Sequence, residues 1–189
     1  MRWFWKIWLR ANGWQIQGCL PDHLKKAVII VAPHTSSMDF IVGVAVRSVL
    51  RMQYVRFLGK AELFKPPFGF IFRWLGGTPV YRSSQHNMVA QVVELFNSHE
   101  NFIIALSPEG TRKKVERLRS GFYHIALQAK VPVVMAGLDF GKKQVVFSSP
   151  FMLSGNQQAD FAKIISFFGP LQGKKPHLGL GHLLPHCNS

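Results

Sequence analysis

His34 and Asp39 are the residues whose types and spacing first invite chemistry. Residues 27–32 read AVIIVA, and Pro33, His34, Thr35, Ser36, Ser37, Met38 and Asp39 follow. An unbroken apolar, β-rich run between Lys26 and Pro33 predicts a buried strand. Ser36, three residues before Asp39, predicts a capping pair that opens a helix. On one continuous helix, residues five apart lie about 140° out of line. The pair can meet only if the chain bends, and the Thr-Ser-Ser turn permits that. A carboxylate that accepts one imidazole N–H fixes the tautomer and frees the other nitrogen as a base. No G-x-S-x-G nucleophile motif accompanies them. Such a dyad suits deprotonation of a hydroxyl on a substrate; the competing reading is a helix cap beside a loop histidine.

A second group, Ser107-Pro108-Glu109-Gly110-Thr111-Arg112, follows the apolar run 101–106. Pro108 and Gly110 predict a tight turn, and Arg112 offers a forked donor for phosphate. Both groups stand at the carboxyl ends of expected strands, where open α/β sheets bind ligands. They can therefore face one crevice. The competing reading here is a solvated turn leading into a basic stretch of Lys113, Lys114, Arg117 and Arg119.

These loops need a scaffold, and the apolar patterning supplies one. Strands are expected at residues 27–32, 54–58, 78–82, 101–106, 131–137 and 144–148. Helices are expected at 41–50, 68–75, 121–129 and 160–168, and Met88, Val89, Val92, Val93 and Phe96 trace one face of another, with Ser84 as a candidate cap. Strands alternating with helices predict an α/β fold with a mixed, largely parallel sheet flanked by helices. The expected division is an amphipathic membrane-docking segment (1–18), an α/β domain (19–170) and a flexible tail (171–189) rich in Gly, Lys, Pro and His. The Phe-rich stretch 66–75 reads as core, with the path of an apolar chain as the alternative.

The 189 residues carry 23 Lys and Arg against 9 Asp and Glu, a net charge of +14, and 48% are hydrophobic. The expected partner is anionic. A mean hydropathy of +0.10 in so basic a chain favours a lipid surface over nucleic acid. Residues 1–14 hold four of the five Trp, but Lys6 and Arg10 interrupt any signal-peptide core. On a helical wheel Trp3, Phe4, Ile7 and Trp8 share a face and Arg2, Lys6 and Arg10 lie away from it. That predicts an interfacial helix, with packing on the domain's own core as the alternative. No apolar run is long enough to span a bilayer, so a peripheral protein on the cytoplasmic side of a membrane is expected.

The two motifs together resemble the glycerolipid acyltransferase superfamily, the lysophosphatidate acyltransferase branch in particular. That family carries an H-x4-D motif, here His34 to Asp39, and a PEG(T)R motif, here residues 108–112. Between them lies a Gly-rich segment ending in Arg, matched by Gly76-Gly77-Thr78-Pro79-Val80-Tyr81-Arg82. A later apolar block with Pro is matched by Val131-Pro132-Val133-Val134. Pro33 stands where members often have Asn, and Ser107 where they usually have Phe.

The resemblance implies acyl transfer from acyl-CoA or acyl carrier protein to a lyso-lipid acceptor, foremost 1-acyl-glycerol-3-phosphate, in phospholipid biosynthesis. His34 and Asp39 would be catalytic, and Arg82, Glu109, Gly110, Thr111 and Arg112 would hold the acceptor. No metal or redox cofactor is required, and the spacing of His177, His182, His186 and Cys187 argues against a metal site. Gly59-Lys60 lacks the rest of a phosphate loop, although Lys60 could meet a CoA phosphate. The alternatives are O-acylation of another lyso-lipid, such as an aminolipid, and a non-catalytic basic module for lipid or nucleic acid.

Overall fold

The computed structural model describes residues 2–80 and 85–185. In chain order its elements are α1 (Arg2–Ala11), β1 (Gln15–Gln17), β2 (Lys26–Ala32), α2 (Met38–Val49), β3 (Val55–Lys60), α3 (Gly69–Trp74) and β4 (Gly77–Val80). They continue with α4 (Gln85–Ser98), β5 (Phe102–Leu106), α5 (Gly121–Ala129), β6 (Val133–Asp139), β7 (Gln144–Phe147) and α6 (Gln157–Phe168). One seven-stranded sheet runs β1-β7-β6-β2-β5-β3-β4. Every pairing is parallel except β6 with β7. This is the expected mixed, largely parallel sheet flanked by helices.

The strand period of two sorts β2 between two layers. Val28, Ile30 and Ala32 pack with Val92 and Phe96 of α4, Phe122 and Ile125 of α5, and Ile164 and Phe168 of α6. Ala27 and Ile29 face the other way, in a cluster with Val55, Ile103 and Val134. On that second side Val42, Ala45 and Val46 of α2 pack with Leu9 of α1 and with Leu138 and Val145. A central strand buried on both faces explains why residues 27–32 show no polar alternation.

From β2 the chain moves to β3 and β4 on one side, returns as β5 beside β2, then crosses to β6 on the other side. The direction of winding reverses at the carboxyl ends of β2 and β5, the place where such sheets open a crevice.

Three elements differ from expectation. Residues 15–17 form the edge strand β1, so the first 18 residues are not separate from the α/β domain. The helix α3 is not core: only Gly69 is buried, and Phe70 and Trp74 are 68% and 64% exposed. Residues 171–185, read as a flexible tail, lie against the body through two short 3-10 turns, with Leu180 fully buried. Leu171 covers Gly137 of β6 so closely that a Cβ there would clash with it. Apolar residues in this segment follow no helical or strand period because it packs by single anchors. The candidate cap Ser84, and His186 and Cys187, lie outside the described residues.

The helix α1 packs on the domain with one face and leaves another in the open. Leu9 is buried and Trp5 and Trp8 are half-buried against the domain, while Trp3, Phe4 and Ile7 are exposed. Arg2 Nε donates to the Val49 carbonyl at 3.1 Å and ties α1 to the end of α2.

Candidate active site

Pro33 stops β2, and the chain turns back before α2 starts at Met38. The turn is held by one carboxylate oxygen. Asp39 Oδ2 accepts from the backbone N–H of Thr35 at 2.7 Å and of Ser36 at 2.8 Å. The same oxygen lies 3.1 Å from His34 Nδ1. Half of the expected capping pair is therefore present: Asp39 reaches back to Ser36 N–H, while Ser36 Oγ accepts from Met38 N–H at 2.9 Å. The bend brings two residues together that a continuous helix would hold apart. Asp39 is buried and the His34 side chain is 25% exposed, the arrangement of an oriented base with one accessible nitrogen.

The second loop reaches the same crevice. Ile30 of β2 is in register with Leu106 of β5, so Ser107–Pro108–Glu109 rises beside Pro33 and His34. Glu109 Oε1 accepts from the His34 backbone N–H at 2.6 Å. Arg112 Nε donates to His34 Nε2 at 3.4 Å, which places a guanidinium fork beside the imidazole nitrogen that does not face Asp39. Gly110 has φ +67°, a conformation that glycine adopts without steric cost, and its N–H bonds the Ser107 carbonyl at 3.2 Å. Thr111 Oγ1 accepts from the Lys113 N–H at 3.3 Å, within its own turn. His34, Asp39, Glu109 and Arg112 are thus one constellation, and Gly110 and Thr111 shape its loop. Arg82 lies outside the described residues.

Sequence reading missed what supports Thr35. That side chain is buried, and its Oγ1 accepts from Lys175 N–H at 3.2 Å. Gly173 lies so close that a Cβ there would come within 2.6 Å of Thr35 Cγ2. Backbone N–H of Phe140 donates to the Gln172 carbonyl at 2.7 Å and docks the segment on the end of β6. A glycine in a Gly-rich stretch gave no signal of this role.

Burial dominates the electrostatics of Glu109. Taking this carboxylate out of water raises its pKa from 4.5 to about 7, against the opposing His34 N–H bond and His34 charge; Asp39 adds a smaller push upward. Its Oε2, like Asp39 Oδ1, is buried with no hydrogen-bond partner among the described residues.

Fold and crevice define an α/β domain with a histidine–carboxylate pair at a winding reversal, and comparison with known proteins specifies the family. The Acyltransferase family model matches residues 15–138, and the chain belongs to that family. It is 27% identical over 135 residues to the 1-acyl-sn-glycerol-3-phosphate acyltransferase of Limnanthes douglasii, an alignment covering 68% of this chain and 46% of that protein. The protein of the same name from Cocos nucifera is 26% identical over 133 residues, 68% of this chain and 42% of its own. This chain therefore spans less than half the length of these curated relatives. The crystal structure of the 1-acyl-sn-glycerophosphate (LPA) acyltransferase PlsC from Thermotoga maritima superposes with a TM-score of 0.57. At 22% identity, over 86% of this chain and 72% of that one, it shows a shared fold.

Glu109 sets a pH dependence whose sign is fixed. Its native pKa lies above the unfolded value, so between about 4.5 and about 7 the native state holds a proton that the unfolded chain releases. Stability from this group is full below that window and falls as pH rises through it. Glu109→Gln keeps an acceptor for His34 N–H and removes the titration. Urea denaturation across the window should show wild type losing on the order of 3 kcal/mol relative to Glu109→Gln. Parallel curves for the two proteins would contradict the assignment.

Proposed function

We propose that this chain is an O-acyltransferase that moves a fatty acyl group from a thioester to the free hydroxyl of a lyso-lipid, foremost 1-acyl-glycerol-3-phosphate. The thioester is acyl-CoA or acyl carrier protein. The observation that carries the reading is His34: Nδ1 held by buried Asp39, and Nε2 turned to Arg112, from which it accepts a long hydrogen bond. Membership of the Acyltransferase family and the names of its relatives support the reaction type.

In this mechanism the acceptor hydroxyl sits within about 3 Å of His34 Nε2. That nitrogen takes the proton as the oxygen attacks the thioester carbonyl. The C–O bond forms, the tetrahedral oxyanion collapses, and the C–S bond breaks. The departing thiolate recovers the proton from His34, leaving ester, free thiol and neutral imidazole. Asp39 keeps Nδ1–H occupied, so only Nε2 can act. Arg112 lies where its fork can pair with the acceptor phosphate. Arg82 is assigned to the same headgroup by resemblance.

The acceptor lives in a membrane, and among the described residues no helix is long and apolar enough to cross one. Docking on the cytoplasmic leaflet as a peripheral protein fits the exposed Trp3, Phe4 and Ile7 of α1 and the +14 charge.

A panel of lyso-lipids offered with labelled acyl-CoA and acyl carrier protein tests the function. The expected result is fastest acylation of 1-acyl-glycerol-3-phosphate; a folded protein that acylates no lyso-lipid would refute it. His34→Ala should lower turnover by at least about two orders of magnitude, and Asp39→Asn should cause a smaller but severe loss. Gly173→Ala should lower kcat by about tenfold with little change in KM, because it displaces Thr35 and with it the seat of Asp39. An unchanged kcat in the Gly173→Ala protein would mean that the segment only covers the loop. Replacing Trp3, Phe4 and Ile7 together by Ala should weaken sedimentation with anionic vesicles and leave the residual binding more sensitive to salt. Binding as tight as wild type at every salt concentration would make α1 purely structural.

A further inference from the structure

The carboxyl-terminal end of α2 opens onto a groove of about 540 Å³. Four arginines line it, each from a different element: Arg2 of α1, Arg47 of α2, Arg56 of β3 and Arg73 of α3, with Trp5 and Trp74 beside them. Among the described residues, no acidic one lines it. Among the described residues, the single ion pair is His34 with Asp39, so none of the four arginines is neutralised by a carboxylate there. Active-site Asp39 stands in the first turn of α2 and Arg47 in the last, a rise of about 12 Å along the helix. The groove is thus distinct from the crevice that holds His34.

Local structure holds the cations in place. Arg47 is half-buried and donates from Nε to the Val55 carbonyl at 3.0 Å and from Nη2 to the Gln53 carbonyl. Burial and the neighbouring Arg56 charge both push its pKa down, so the charge is held against its surroundings. Gly76 makes the room: it has φ +88°, and a Cβ there would come within 2.5 Å of Arg47 Nη2. Arg2 is pinned to Val49, and Arg73 stands 5.8 Å over the Phe64 ring. Like charges gathered on carbonyls and ring faces, with no counter-charge of their own, form a site for an anion.

The walls indicate where that anion resides. Trp5 of α1 and Trp74 of α3 line the groove, and the same two helices carry Trp3, Phe4 and Phe70, which with Trp74 are more than half exposed. Forked cations between exposed aromatic ridges match the headgroup layer of a bilayer, where rings sit at the interface and cations meet phosphate. A soluble anion needs no such ridges. We propose that this groove binds the phosphate of an anionic phospholipid, such as phosphatidylglycerol, while the exposed aromatic residues of α1 and α3 insert on either side. The inference rests on the surface-docking reading and adds a second inserting element and a headgroup preference.

Sedimentation with two vesicle types tests it: phosphatidylcholine alone, and phosphatidylcholine mixed with phosphatidylglycerol. The Arg56→Gln/Arg73→Gln protein alters two exposed side chains and should keep its circular dichroism. It should lose about tenfold or more of its binding to the mixed vesicles and little of its binding to phosphatidylcholine. Lys130→Gln/Lys163→Gln makes the same charge change at the end of α5 and on α6, across the sheet, and should cost far less. Phe70→Ala/Trp74→Ala should weaken binding to both vesicle types. Equal losses in the two charge-neutralised proteins would show that only overall charge matters and would overturn the site. So would an increased KM for acyl-CoA in Arg56→Gln/Arg73→Gln with vesicle binding unchanged, since the groove would then serve the CoA phosphates. Wild-type protein that binds neither vesicle would instead overturn the docking reading beneath it.

Discussion

Much of the crevice hangs on one oxygen atom. Asp39 Oδ2 receives two backbone N–H groups and the His34 ring, so a single buried charge starts a helix, shapes a bend and orients a base. A buried carboxylate is costly unless donors surround it, and here the donors are two N–H groups of the bend and the imidazole itself. The energy that compensates for burying Asp39 is thereby the energy that places the imidazole. Glu109 repeats the device from the neighbouring strand, through the His34 backbone rather than its ring. His34 is in this way held from two strands at once, at the point where the winding of the sheet reverses.

The same constraint explains how the molecule divides its labour. The sheet gives one face to α4, α5 and α6, which form the larger apolar core. The other face carries α1 and α2, whose outer surfaces keep aromatic side chains and arginines in the open. The larger apolar core sits on one side, and the helices of the other side leave aromatic side chains in the open. The outward residues of α1 are then compatible with its inward ones, since a helix bearing Leu9 inward still presents Trp3, Phe4 and Ile7 outward.

Much of this was legible in the residues. Strands such as β2 and β5 announce themselves because burial on both faces demands uninterrupted apolar runs, and the H-x4-D and PEGTR loops follow them directly. Meeting of His34 with Asp39 was foreseeable only as one outcome of two, because the bend depends on hydrogen bonds that spacing does not display. Edge strand β1 escaped notice because three residues of QIQ carry almost no pattern. Residues 171–185 were misread for a related reason: Leu171, Gly173 and Leu180 pack singly at irregular spacing, and periodicity detects repeated faces rather than isolated anchors. The exposure of α3 could not be seen either, since an apolar helix on a surface and one in a core share a composition.

Both margins of the sheet are short. On one side lies β1, three residues long, and on the other β4, four residues with Pro79 among them. A proline offers no N–H to an incoming strand, and brief margins give little length for pairing. Copies of this protein therefore have poor means of joining sheet to sheet, as fibril-forming chains do. Crowded copies can therefore remain separate molecules.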